Sequence, residues 1–271
     1  MRKVRESLSP AAVQNRHGRV MYQPRSYRRS LGEGRFSSFE VSYRETDLWI
    51  AVDALSAASL DMLSFKRTAY QTVVSTRTCI VHYGSDYAEF LNSMDPIEDH
   101  AEAPELIREM IHAGMMAGTG PMASVAGAFA REVGRVLLKT FTVRELIVEN
   151  GGDIWVYAEE PIKLSVFAGS SPISGKIQVE IPPENTPLGV CTSSGTVGHS
   201  LSLGKADAVM VASYNPILAD ALATGFANRV KSRNDVDEVI EDMKLCEAVL
   251  SGVIILGDKA GLCGSFLFSF A

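Results

Sequence analysis

The chain has 271 residues, 46% hydrophobic and 21% charged, an ordinary globular balance that excludes a disordered, collagen-like or coiled-coil chain. Its net charge of −6 hides an asymmetry. Residues 1–35 carry nine Lys/Arg against Glu6 and Glu33, a local +7, while the remainder carries 17 basic and 30 acidic residues, or −13. An acidic body of this kind excludes nucleic-acid binding as the main task. Residues 1–35 are expected to form a basic arm that either packs on the acidic body or meets an anionic ligand, with 36–271 as a single α+β domain. The four cysteines, Cys79, Cys191, Cys246 and Cys263, show no metal spacing and no disulfide framework, which points to a reducing, cytoplasmic compartment. The first residues have no apolar stretch, so no secretory signal is expected.

In chain order, Phe36–Tyr43 and Leu48–Val52 read as a hairpin around Glu45–Asp47. A helix is expected over Leu55 to about Val81, against the β-branched run Thr72–Thr78. Pro104 opens a helix to His112. The uncharged stretch Met110–Ala130 is too broken by glycine and Pro121 to cross a membrane, and reads as a helix end, a Gly-rich turn and a helix start. The second helix, Met122 to Lys139, carries Val125, Phe129, Val133 and Leu137 as an apolar stripe. Beside it runs a small-residue stripe, Ala123, Gly127, Ala130 and Gly134, which would let a neighbour approach closely. Strands follow at Leu146–Glu149, Ile154–Ala158, Lys163–Phe167, Lys176–Ile181, Gly189–Ser193 and Ala208–Ala212. Asn215-Pro216 reads as a helix cap with proline in the first turn, opening a helix to Val230. Asn234 opens another, to about Val249. Gly252–Leu256 and Ser265–Phe270 are expected to close the chain as a hairpin around Gly257-Asp258. This order favours α+β layers over a doubly wound sheet.

Three clusters can carry chemistry. Asn150-Gly151-Gly152-Asp153 is either a plain hairpin turn or a bared backbone that a ligand can approach, with Asn150 and Asp153 as polar edges. Thr192-Ser193-Ser194-Gly195, followed by His199, gathers hydroxyls, glycines and a candidate general base. No Gly-x-Ser-x-Gly elbow is present, which speaks against a serine hydrolase. Asp220 and Thr224 stand at i and i+4 on one helix face and offer hard oxygens suited to Mg²⁺. The alternative is a dipole-favoured, exposed carboxylate near a helix start and a threonine bonded to its own helix.

The order of these clusters resembles the ApbE superfamily of Mg²⁺-dependent FAD:protein FMN transferases. The family's Asn-x-Gly-Gly-Asp-Ile turn, Thr-Ser-Gly loop with a later histidine, and Ala-Asp-Ala-x-Ala-Thr helix are matched at Asn150–Ile154, Thr192–Gly195 with His199, and Ala219–Thr224. Tyr43–Trp49 and Gly120–Gly127 carry a closer similarity to an ApbE-like cytoplasmic branch. The transferases' lysine ahead of the helix is missing from Gly118–Ala123, and the Asp-Pro after their histidine is missing after His199. The resemblance implies layered antiparallel sheets packed with helices, a T-fold-related α+β architecture. It implies Mg²⁺ held by Asp220 and Thr224, and FAD or FMN against Gly118, Thr119, Gly120, Met122, Asn150, Gly151, Gly152, Asp153, Thr192, Ser193 and Ser194. It implies His199 as catalytic base and an acceptor protein as partner; the charge balance and the broken apolar stretch predict neither nucleic acid nor membrane as partner. A non-catalytic flavin- or nucleotide-binding protein of the same fold is the competing class.

Overall fold

A computed structural model describes residues 34–195 and 203–270. The basic arm up to residue 33, and His199, lie outside the described residues.

The first hairpin pairs β1 (Phe36–Tyr43) with β2 (Thr46–Asp53). Its turn is tighter than the sequence suggests: Tyr43 faces Thr46, and Arg44 takes a left-handed φ of 59°. Asp53 then caps α1 (Ala54–Ser59) by accepting the Ser56 N–H, and Asp61 caps α2 (Met62–Asp86) by accepting from Leu63 and Ser64. The β-branched run does not interrupt α2. Thr72 and Thr76 are buried, and the Thr72 and Thr78 hydroxyls donate back to carbonyls one turn earlier. Packing overrides the local preference there.

After α3 (Ala88–Asn92), α4 (Glu105–Ala117) ends on Gly118 in the left-handed conformation. A 3-10 turn, Pro121–Ser124, leads directly into α5 (Val125–Thr140). Then come β3 (Leu146–Asn150), β4 (Asp153–Tyr157), β5 (Ile162–Ser165), β6 (Ile177–Ile181), β7 (Leu188–Ser193) and β8 (Ala208–Ser213). Helices α6 (Pro216–Arg229) and α7 (Asp235–Leu245) precede β9 (Ser251–Leu256), β10 (Lys259–Gly264) and β11 (Leu267–Phe270).

Eight strands form one antiparallel sheet in the order β1-β2-β3-β4-β7-β8-β9-β10, and β11-β6-β5 form a second, smaller one. The helices cover one face of the large sheet and the small sheet covers the other. Strand alternation shows this directly. Leu48, Ile50 and Val52 of β2 join the helix-side core, whereas Trp49 and Ala51 join the core between the sheets. On β8, Val209 and Val211 face the helices and Ala208, Met210 and Ala212 face the small sheet. A sheet buried on both faces explains the nearly continuous apolar runs in its central strands. Each fully buried Ile or Leu there contributes about 1.5–3 kcal/mol. The architecture is the layered α+β arrangement expected.

The small-residue stripe on α5 acts as the sequence suggests. A Cβ on Gly134 would stand 2.3 Å from the Trp155 ring, so the glycine lets α5 lie against β4. One expectation fails. The partner of β9 is β10, joined across Gly257-Asp258 with Leu256 opposite Lys259, whereas Leu267–Phe270 crosses to pair with β6. Lys259–Gly264 carries a weak strand signature because Ala260, Gly261, Cys263 and Gly264 are small, Gly261 for a packing reason: a Cβ there would meet Ile240 of α7 at 2.4 Å. Gly264, at φ 101°, then redirects the chain to the second sheet. Among the described residues no helix is long and apolar enough to cross a membrane.

Candidate functional site

Helix α6 organises the site. It is buried almost all round, from Pro216 to Ala227, which fits its central position between α4, α5 and the β7–β8 strands. Asn215 caps it by accepting the Ile217 N–H at 3.1 Å, and Pro216 occupies the first turn. Gly189 and Gly127 have no side chain because α6 begins there. A Cβ on Gly189 would lie 2.5 Å from Pro216 Cα, and one on Gly127 would lie 2.3 Å from the Pro216 carbonyl oxygen.

That close approach brings α5 to Asp220. The Asp220 Oδ2 accepts the Gly127 N–H at 2.8 Å, and Ala126 N–H also bonds to this carboxylate. The first N–H groups of a helix have no partner within it, so a carboxylate from the neighbouring helix caps α5. Asp220 is therefore buried, contrary to the expectation of an exposed carboxylate near a helix start. One turn on, the buried Thr224 Oγ1 donates to Ser193 Oγ at 3.3 Å. The shared i, i+4 face points towards the ends of β4 and β7.

The glycine turn arrives from the other side. Asn150 pairs with Asp153, so Gly151 and Gly152 form a two-residue turn with φ of 70° and 111°, angles that favour glycine. The fully buried Glu149 accepts the Gly152 N–H at 2.8 Å, and Asn150 Nδ2 donates to the Ala126 carbonyl at 3.3 Å. Through Asn150 the turn is tied to the first turn of α5. Asp153, also buried, accepts the Thr192 N–H at 3.2 Å. A Cβ on Gly152 would meet only the Thr192 carbonyl, at 3.9 Å, so its absence serves the backbone angle more than the packing.

Two buried carboxylates thus sit close enough to repel each other. Burial pushes Asp220 up to about 7, against the lowering effect of the Gly127 and Ala126 N–H groups. Burial, then the Asp220 charge, pushes Asp153 well above the usual carboxylate range, although the Thr192 N–H pulls it down. No lysine or arginine among the described residues offsets either shift. Burial and the same two carboxylates also raise the Cys191 thiol, whose Sγ donates to the Pro216 carbonyl at 3.5 Å. Cys191 is accordingly a protonated thiol, with no thiolate available for attack.

The Gly118–Met122 segment flanks this cluster. Ala117 packs its carbonyl oxygen 2.3 Å from where a Cβ on Gly225 would be, beside Thr224. Gly120 donates its N–H to Met94 at 2.8 Å and lies too close to the Ser93 carbonyl for any side chain. Its glycine therefore answers a packing demand. Thr119 is buried, with no hydrogen-bond partner for its hydroxyl. Met122 packs partly buried against the helix-side core. Ser194 follows β7, half-buried.

The fold brings together Asn150, Gly151, Gly152, Asp153, Thr192, Ser193, Asp220 and Thr224, and sets Gly118, Thr119, Gly120, Met122 and Ser194 at the border. Sequence reading assigned no site role to Glu149, Cys191 or the Ala126–Gly127 backbone. Glu149 has a signal, an acidic residue ending an apolar strand before two glycines. Cys191 and Ala126 have none.

The donor set fits a hard divalent cation. It consists of the Asp220 and Asp153 carboxylates, whose protonated forms burial favours, and the Ser193 and Thr224 hydroxyls. Among the described residues no three His, Cys, Asp or Glu side chains group into a metal site of their own. Mg²⁺ takes one or two carboxylates and leaves other positions to water and phosphate.

Residues 28–251 match the family model described as AbpE bacteria. A UPF0280 protein of Methanococcus aeolicus is 35% identical over 229 residues, covering 83% of this chain and 89% of its own. A UPF0280 protein of Methanocella arvoryzae is 40% identical over 178 residues, or 65% and 71% of the two chains. Among solved structures, the apo flavinyl transferase ApbE of Pseudomonas stutzeri superposes with a TM-score of 0.57 at 14% identity, covering 85% of this chain and 94% of its own. The ApbE protein of Thermotoga maritima gives 0.51 at 12%, covering 83% and 96%. The chain belongs to the AbpE bacteria family and has the ApbE fold.

Proposed function

We propose that this protein is a Mg²⁺-dependent flavin transferase that takes FAD as substrate and passes its FMN half to a hydroxyl on an acceptor protein. The single observation that carries the reading is the buried Asp153–Asp220 pair, which lacks a cationic partner among the described residues and lies beside the Ser193–Thr224 hydroxyls. Two carboxylates raised by burial, Asp153 further raised by the Asp220 charge, favour a site that takes up positive charge. Asp220 and Thr224 would hold Mg²⁺, with Asp153 and Ser193 beside them. When bound, the ion supplies charge neutralisation for a pyrophosphate.

The protein's own residues supply the rest. The Asp220 cap and the Asn150 amide fix the start of α5 and the glycine turn relative to each other, so the site is formed before a ligand arrives. Gly151 and Gly152 leave the turn without side chains where a nucleotide can lie against backbone. In the transfer, the acceptor oxygen forms a bond to the phosphorus on the FMN side. The anhydride bond breaks and AMP leaves with its electron pair. The acceptor proton passes to a base, a role we assign to His199.

Two kinds of support bear on this reading: the chemistry of the donor set, and the fold shared with a protein named as a flavinyl transferase. The test is incubation of the purified protein with FAD, with Mg²⁺ or with EDTA, in the presence of candidate acceptors, followed by quantification of AMP. Mg²⁺-dependent AMP release that falls in His199→Ala without loss of FAD affinity supports transfer. Tight FAD binding with no AMP under any condition establishes the non-catalytic flavin-binding alternative.

A further inference from the structure

A cavity of about 430 Å³ opens at the C-terminal end of α2, and its walls have a distinct chemistry. They include His82, Tyr83, Asp86, Tyr87, His100 and Glu102, with no lysine or arginine among the lining residues. Three of the rings are locked together. Tyr87 stacks on Tyr83 with centroids 4.6 Å apart and an interplanar angle of 23°, and the His100 ring lies 4.6 Å from Tyr87. The edge of Phe90 supports Tyr83 from behind, at 5.2 Å. The Tyr83 hydroxyl meets His100 Nδ1 at 2.6 Å. Burial, with Tyr87, Asp99 and Glu89 nearby, raises the Tyr83 phenol, which keeps its proton. Tyr83 is buried, whereas Tyr87 keeps 43% of its surface exposed as a wall of the cavity.

The electrostatics around these rings are one-sided. The segment from Asp95 to Glu105 also holds Glu98, Asp99 and Glu102. Arg108 and His112, the basic groups beside it, are both directed to Asp99, at 3.7 Å and 2.9 Å. Asp86 and Glu102 face the cavity, and neither has an ion-pair partner among the described residues. A space of about 430 Å³ with an aromatic wall has room for a cation of several atoms. Aromatic faces combined with unpaired carboxylates are the recognition chemistry of organic cations.

We propose that this cavity binds an organic cation, a guanidinium or alkylammonium group set against the Tyr87 ring with Asp86 and Glu102 as its counter-charges. The site is separate from the Asp153–Asp220 cluster, and the inference does not use the flavin reading. The two are nevertheless linked through the chain. Phe90, on α3, touches Tyr83, and the residues just after α3 pack on Gly120 of the segment that borders the first site.

The test titrates the full-length protein with agmatine, and in parallel with N-butylurea as an uncharged probe of similar shape. Ring resonances of Tyr87 and His100 are followed by NMR. Saturable shifts with agmatine and none with butylurea are expected. Tyr87→Leu should weaken agmatine by roughly tenfold, as loss of a cation–ring contact implies. The double variant Asp86→Asn/Glu102→Gln, which alters only exposed side chains, should weaken it at least as much. Equal response to the two probes, no saturation, or agmatine affinity unchanged in both variants would overturn the assignment.

Discussion

Replacing Asp220 separates two roles that the structure gives to one carboxylate. As a cap it holds the Gly127 and Ala126 N–H groups, and Asp220→Ala leaves both without an acceptor. A buried orphan donor such as the Gly127 N–H costs about 1–3 kcal/mol. As a buried charge the same group is a burden. Its folded pKa is raised to about 7 from 3.8, so the folded state holds a proton more tightly than the unfolded chain does. The sign follows: the penalty is absent below the unfolded pKa, grows as pH rises, and is complete above about 7. At 1.36 kcal/mol per unit its upper bound is about 4 kcal/mol. Asp220→Asn keeps an acceptor and removes the charge. Thermal unfolding at pH 5.5 and 8.0, without metal, should show wild type losing stability relative to Asp220→Asn as pH rises. Asp220→Ala should melt roughly 5–10 °C below Asp220→Asn at both pH values. Added Mg²⁺ should stabilise wild type at pH 8.0 and neither variant. If Asp220→Ala and Asp220→Asn melt together, the capping argument is wrong. If the wild-type difference does not depend on pH, the raised carboxylate is wrong.

Three further outcomes are expected. Gly127→Ala places a methyl 2.3 Å from the Pro216 carbonyl, a backbone atom, so α5 and α6 must part; a loss of about 1–3 kcal/mol in urea unfolding, with reduced Mg²⁺ stabilisation, is expected. Glu145 is raised by burial but held lower overall by its bond to Arg35 and by the Glu160 and Glu159 N–H groups. Its contribution is present above the unfolded carboxylate pKa and lost as pH falls through the folded one, so Glu145→Gln should flatten the melting-temperature decline on the acid side of pH 5. Cys191, raised by burial and two carboxylates, should resist iodoacetamide in the native protein at pH 8 while the half-buried Cys79 and Cys246 react faster; mass-resolved labelling in the opposite order would contradict its placement.

Much of the fold was legible because the sequence states it locally. Strand lengths, the Asn215-Pro216 cap and the glycine turn all appear as short-range patterns. The hairpin partner of β9 was not legible, because the small residues of β10 are set by the side chains of α7 above them, and no local rule carries that demand. The same limit applies to the candidate site. Asn150, Asp153, Ser193, Asp220 and Thr224 stand out as polar residues in apolar surroundings, but their roles depend on which elements meet.

Asp220 shows what that meeting adds. Read along its helix, it is an acid near a positive dipole end, a feature of small value. Read in three dimensions, its value depends on Gly127, 93 positions earlier, which lacks a side chain so that its N–H can reach the carboxylate. Asn150 then bonds to the carbonyl of Ala126, the residue before that glycine. One helix start therefore holds both the acid and the turn, and a change at Gly127 should disturb both together. Each carboxylate already accepts a backbone N–H, which fixes its position. A cationic ligand would favour the ionised form that burial disfavours. The small residues of α5 thus bear on both packing and chemistry: Gly134 sets the helix against β4, and Gly127 sets its first turn against the acid.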